Sequence, residues 1–176
     1  MSRFPVVFLD IDGVLNTSKN YYEWDRAMRE SGKRVSFHVA PDDSFVELLF
    51  DRQLVQNFNK ITRVTDAKIV VSSTWRNLYQ DLQVLVGILK RVGIEGEVIG
   101  KTPSYGRIGN GGRGERGDEV AAWREDNGHS GPFVCIDDDA DFQAVKKHLV
   151  QTNGREGVTE EDADMAVKVL KKGSRK

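Results

Sequence analysis

Short, continuous apolar runs alternate along this chain with segments whose apolar positions recur every three or four residues. The runs are Phe4 to Leu9, Ile69 to Val71, Val98 to Ile99, Pro132 to Ile136 and His148 to Val150. Continuous rather than alternating apolarity predicts strands covered on both faces, as in a parallel sheet. The intervening segments read as helices. Asp51 is placed to cap one that carries Leu54, Phe58 and Ile61 on one face. Leu78, Leu82, Leu85 and Leu89 form a second stripe, and Glu119 to Asp126 a helix with Val120 and Trp123 inward. Thr159 caps the last helix, with Asp162 as its capping-box partner and Ala163, Ala166, Val167 and Leu170 inward. Strand and helix in alternation predict an α/β fold, a central parallel sheet flanked by helices. Two stretches break the rhythm. Residues 17–45, with Tyr21, Tyr22 and Trp24, are expected to form a flap or small cap. Residues 101–117 hold six glycines and Pro103 and read as a loop.

In sheets of this kind, ligands sit beyond the carboxyl ends of the strands, so the residues after each apolar run are the first candidates for chemistry. The first run ends in Asp10-Ile11-Asp12-Gly13. Two carboxylates one residue apart repel unless a cation lies between them, and oxygen-only ligands favour magnesium. The alternative is a solvated acidic turn. The second run ends in Ser72-Ser73-Thr74-Trp75-Arg76, where hydroxyls and free backbone N–H groups at a helix start suit a phosphate, or merely cap the helix. On the capping reading Trp75 and Arg76 are surface residues. The fourth run ends in Asp137-Asp138-Asp139-Ala140-Asp141, a concentration of acids that is costly without cations. Asp137 lies nearest the strand end. Lys101, Arg107, Arg113 and Arg116 supply fixed positive charge ahead of that strand.

Length and composition narrow the picture. The 176 residues are expected to form a single domain. With 39% hydrophobic residues the chain is not an acidic disordered protein. With 26 basic against 27 acidic residues, net charge -1, it is not a generally polybasic binder either. The near-neutrality hides segregation: acids gather at the two strand ends, bases in 101–117 and in the tail 171–176. Cys135 is the lone cysteine, which excludes an internal disulfide and a multi-cysteine metal site. No run nears the roughly 20 apolar residues of a membrane helix, so a cytoplasmic protein without membrane partners is expected.

In order along the chain these motifs resemble those of the haloacid dehalogenase (HAD) superfamily of phosphatases. Asp10-Ile11-Asp12-Gly13-Val14-Leu15-Asn16 after a hydrophobic strand matches the first motif, Ser72 the second, a basic residue the third and Asp137-Asp138 the fourth. The chain is more closely similar to the small HAD domains of bacterial and phage RNA-repair proteins. It shares with them Leu9 to Asn16, Ser72 to Arg76, and Arg116-Gly117-Asp118-Glu119 leading to Trp123.

The resemblance implies a HAD-type Rossmann-like fold and a Mg2+-dependent phosphomonoesterase. Asp10 would be the nucleophile, and Asp12 the acid that protonates the leaving alcohol and then activates water. Ser72 would bind phosphoryl oxygens, with Ser73 the rival register. Arg116 would stand where the family usually has Lys, with Lys101 and Arg113 as other candidates. Thr74 and Arg76 would assist in substrate binding. Asp10, Asp12 and Asp137 would hold magnesium, with Asp138 beside Asp137 and Asp141 at an alternative spacing. A large cap needs roughly 60 or more residues of its own, so a nearly capless, open site is expected. Such a site suits an RNA or DNA end, above all a 3′-phosphate, with Tyr105, Tyr21, Tyr22 and Trp24 as stacking candidates. A nucleotidase, a phosphotransferase and an inactive nucleic-acid- or partner-binding module are the alternatives.

Overall fold

The computed structural model describes residues 2–33, 45–105, 107–108 and 112–173. Five parallel strands form the central sheet: β1 (Val6–Leu9), β2 (Lys68–Val71), β3 (Val98–Lys101), β6 (Phe133–Asp137) and β7 (Leu149–Gln151), in the order β3-β2-β1-β6-β7. Helices α1 (Ser18–Glu30), α2 (Arg52–Thr65), α3 (Trp75–Leu78), α4 (Leu82–Arg91), α5 (Arg116–Asp126) and α6 (Glu160–Gly173) follow in chain order, with 3-10 turns at Val46–Leu49 and Gln143–His148. Two further strands, β4 (Arg107–Ile108) and β5 (Gly112–Arg113), pair antiparallel.

Both faces of the sheet are covered, which is why its strands read as unbroken apolar runs. Val7, Leu9, Ile69, Val71, Val134 and Ile136 point into the larger core, with Phe58 and Ile61 of α2, Leu85 and Leu89 of α4, and Ala163, Ala166 and Leu170 of α6. Val6, Phe8, Val70, Phe133 and Cys135 point the other way, onto Val120 and Trp123 of α5 and onto Phe142 and Val145. Each fully buried Val, Leu, Ile or Phe side chain contributes about 1.5–3 kcal/mol. The helix starts use the expected chemistry. Asp51 Oδ1 accepts the N–H groups of Gln53 and Leu54 at 2.7 and 3.2 Å. Thr159 and Asp162 form a reciprocal box, Thr159 N–H donating to Asp162 Oδ2 and Asp162 N–H to Thr159 Oγ1.

Several expectations need correction. The leucine stripe is not one helix: Leu78 closes α3, and α4 starts afresh at Leu82 behind an Asp81 cap. β3 runs two residues past Ile99, and α5 begins at Arg116 rather than at Glu119. Residues 101–117 are not a plain loop, because they contain the β4–β5 hairpin. The first half of 17–45 is α1, whose Trp24 and Met28 join the larger core; 34–44 lie outside the described residues, as do 174–176 of the basic tail. Among the described residues, no helix is long and apolar enough to cross a membrane.

Strand register sets the site. Leu9 is level with Val71 and with Ile136. The next residues, Asp10, Ser72 and Asp137, therefore emerge side by side where the strand order turns about β1. Backbone bonds continue the ladder past the strands, Ser72 N–H to Leu9 O at 2.8 Å and Asp10 N–H to Ile136 O at 3.0 Å.

Candidate active site

Asp10 is 3% exposed and Asp137 fully buried. One oxygen from each, with one from the half-buried Asp138, forms a cluster whose members all lie within 4.8 Å of one another. Arg116, at the first turn of α5, faces them. Its Nη1 lies 3.2 Å from Asp10 Oδ1 and 3.0 Å from Asp137 Oδ2, and donates to the Ser72 carbonyl. The contact with Asp10 Oδ1 is an ion pair rather than a directed hydrogen bond, since that buried oxygen has no hydrogen-bond partner among the described residues. Burial disfavours the Arg116 charge, but the Asp10 and Asp137 carboxylates outweigh it and hold the guanidinium protonated. Burial raises Asp10 to about 6, against the pull of Arg116. Burial, then the Asp10 charge, raises Asp137 to about 8. Burial and the neighbouring Asp139 also raise Asp138. Three crowded carboxylates against one guanidinium leave an excess of negative charge in a desolvated place. An oxygen-only donor set of this kind fits a hard divalent cation.

Asp12 sits apart from that cluster. Its Oδ1 accepts the Tyr21 hydroxyl at 2.7 Å, Asn16 Nδ2 at 3.0 Å and Trp75 Nε1 at 3.0 Å. Trp75 Nε1 also lies 3.2 Å from Oδ2. Burial, then the Asp12 carboxylate, pushes the Tyr21 phenol above its ordinary range, so it stays a donor. Asn16 is fixed in turn by accepting the Gly13 N–H at 3.1 Å.

The two serines divide their tasks. Ser73 Oγ accepts the Trp75 N–H at 3.4 Å, and Ser73 works against the rise of Asp10. The Ser72 hydroxyl is buried and has no partner among the described residues, the state expected of a group that awaits a ligand oxygen. Thr74 is exposed at the start of α3. Arg76, 7% exposed, is not the surface residue of the capping reading. Its Nη2 donates to Glu119 Oε2 at 2.5 Å and its Nη1 to the Ser73 carbonyl at 2.9 Å. Lys101 Nζ donates to the carbonyls of Arg76, Tyr79 and Gln80 at 3.2, 3.2 and 2.8 Å, stitching β3 to the end of α3. Asp141 accepts the Arg116 N–H at 3.3 Å and orients α5. Arg113 and Arg107 are described as backbone only; their side chains lie outside the described residues. Of the aromatic candidates, Trp24 is in the core and Tyr21 is turned to Asp12, while Tyr22 and Tyr105 are 69% and 44% exposed.

Sequence reasoning did not find the donors around Asp12, nor Glu119 as the partner of Arg76. Trp75, Arg76 and Glu119 did stand inside the shared motifs, which was the available signal. Comparison with known proteins agrees with the fold. The family model for the HAD domain in Swiss Army Knife RNA repair proteins matches residues 6–163. No curated protein and no solved structure gives a match.

Proposed function

Because the chain belongs to the HAD-domain family of Swiss Army Knife RNA repair proteins, we propose that it is a phosphomonoesterase that works through an aspartyl-phosphate on a polynucleotide end, with a 3′-phosphate as substrate. The observation that carries this reading is the buried Asp10, ion-paired with Arg116 and emerging beside Ser72, whose buried hydroxyl has no partner among the described residues. Asp10, Asp137 and Asp138 would hold magnesium, which when bound supplies charge neutralisation at the phosphoryl oxygens.

The protein's own residues account for the rest. A carboxylate nucleophile divides hydrolysis into two easier displacements. In the first, an Asp10 oxygen bonds to phosphorus as the ester bond breaks, and Asp12 gives its proton to the leaving oxygen. In the second, Asp12 takes a proton from water as the water oxygen bonds to phosphorus and the Asp10–phosphorus bond breaks. Arg116 and the Ser72 hydroxyl face the charge that builds on the phosphoryl oxygens. Three features favour a polynucleotide end. α1 buries Trp24 and Met28 in the core, so it is anchored there. Tyr22 and Tyr105 offer exposed rings. The 101–117 segment, with four basic residues against Glu115, leads into α5 at Arg116.

The test is phosphate release from an aryl phosphate with magnesium, wild type against Asp10→Asn, followed by 3′- and 5′-phosphorylated oligonucleotides against mononucleotides. The substitution should lower kcat by about a thousandfold or more, and 3′-phosphorylated oligonucleotides should give the highest kcat/KM. A mononucleotide preferred by a wide margin would make the protein a nucleotidase. A wild type silent on every ester would leave only a binding module.

A further inference from the structure

Three elements send a donor to one oxygen of Asp12: Asn16 from the turn after β1, Tyr21 from α1, and Trp75 from the start of α3. A carboxyl oxygen has two lone pairs in the carboxyl plane, and three donors at 2.7–3.0 Å leave Oδ1 no room for a proton. Among the described residues, Oδ2 receives only the 3.2 Å approach of the indole N–H, which is shared with Oδ1. The anchor is rigid. Trp75 is 1% exposed and packs edge-on against Phe50 at 5.3 Å and stacked with Tyr79 at 5.9 Å. Asn16 is 1% exposed.

Resting on the phosphatase reading above, we propose that Asn16, Tyr21 and Trp75 are positioning residues that hold Oδ1 of Asp12 and leave Oδ2 as the oxygen that exchanges a proton with an alkoxide leaving group. The Oδ2 proton passes to the ester oxygen as that oxygen parts from phosphorus and the Asp10 oxygen bonds to it, leaving Asp12 as a carboxylate. Oδ1 stays hydrogen-bonded to the three donors throughout, so the acid does not have to turn over between the two steps. Sugar hydroxyls are poor leaving groups and need that proton; a nitrophenolate leaves without one. The three donors thus suit the site to sugar phosphomonoesters in preference to phosphorylated phenols.

Leaving-group dependence separates positioning from mere support of the fold. Wild type, Tyr21→Phe and Trp75→Phe are assayed with a nitrophenyl phosphate and with a 3′-phosphorylated oligonucleotide. The ratio of kcat on the oligonucleotide to kcat on the aryl ester should fall by about tenfold or more in each variant, part of the 10²–10⁴ that acid catalysis supplies. An active wild type whose variants lose the same factor on both esters overturns this inference and leaves the phosphatase reading intact. A wild type silent on both overturns the reading and the inference with it. A second readout needs no turnover. The chain has three tryptophans, and the indole N–H resonance missing from Trp75→Phe belongs to Trp75. In Asp12→Ala it should move upfield while the other two stay in place; an unmoved resonance shows that the anchor is absent and overturns the inference.

Discussion

Asp138 owes its position to two residues that have no side chain. A methyl group on Gly13 or on Gly154 would run into the Asp138 carboxylate, so the loop after β1 and the loop after β7 close on it from two sides. The β7 end ties the arrangement together. Gln151 Nε2 donates to the Asp138 carbonyl at 3.0 Å, Thr152 N–H to the Asp137 carbonyl at 2.9 Å, and Thr152 Oγ1 to the Gly13 carbonyl at 2.9 Å. Gly13 has φ +73°, so a side chain there would add backbone strain to the steric effect. Gly154 is the cleaner probe. Gly154→Ala is expected to push Asp138 out of line and weaken magnesium binding by about 10–100-fold, as loss of outer partners does at metal sites, while the fold persists. Titration calorimetry with magnesium alone measures this, and an unchanged affinity would refute it. Such residues were hard to read in advance: Gly154 lies sixteen positions from Asp138 in an ordinary turn sequence, and only the β6–β7 register brings the two together.

Between α3 and α5, Arg76 and Glu119 form an ion pair whose side chains are 6% and 4% exposed. Burial disfavours the Arg76 charge and the Glu119 carboxylate supports it. The pair clamps the phosphate-side loop, since Arg76 also holds the Ser73 carbonyl and Glu119 Oε1 accepts the Tyr105 N–H at 2.9 Å. Removing one member of a buried pair leaves an uncompensated charge and costs about 3–5 kcal/mol, whereas an exposed pair contributes about 0–1 kcal/mol. Glu119→Ala should therefore destabilise the protein far more than Glu95→Ala, whose partner Arg63 is half exposed. Urea unfolding of the two variants decides this, and equal losses would show that the clamp is not a stabilising element. The contrast shows what the linear sequence carried. Asp10, Ser72 and Asp137 were legible because each ends an apolar run and parallel register brings run ends together. Arg116 was legible as one of three basic candidates. The roles of Arg76, Lys101 and Trp75 were not, because a basic or aromatic residue beside a strand end reads alike whether it faces a ligand, a carbonyl or a carboxylate. The leucine stripe misled for a related reason: spacings of four, three and four persist across the break between α3 and α4.

For the molecule as a whole, the acidic centre should make stability depend on pH and, if magnesium is held there, on metal together. The folded state raises Asp10 to about 6 and Asp137 to about 8, chiefly through burial, from an unfolded value near 4. A carboxyl whose pKa is higher in the folded state binds its proton more tightly there. Its stabilising contribution is complete below about pH 4 and is lost as pH rises through the folded value. His129 and His148 act in the opposite sense. Burial lowers both, so they cost stability chiefly as pH falls below about 6.5, the unfolded value. Between pH 6.5 and 8 the unfolded histidines shed the rest of their charge, which adds a little stability, and the larger, opposite loss belongs mainly to Asp137. In EDTA the melting temperature should therefore fall from pH 6.5 to pH 8. Magnesium at about a hundred times its dissociation constant adds about 2.7 kcal/mol. The cation competes with the proton for the same oxygens, so its gain in melting temperature should be larger at pH 8 than at pH 6.5. Asp137→Asn removes both the titrating group and a ligand, and should flatten the metal-free pH dependence and abolish the magnesium gain together. If the metal-free protein melts at the same temperature across this range, or if Asp137→Asn keeps its response to magnesium, then Asp137 is not the group that couples folding to the cation.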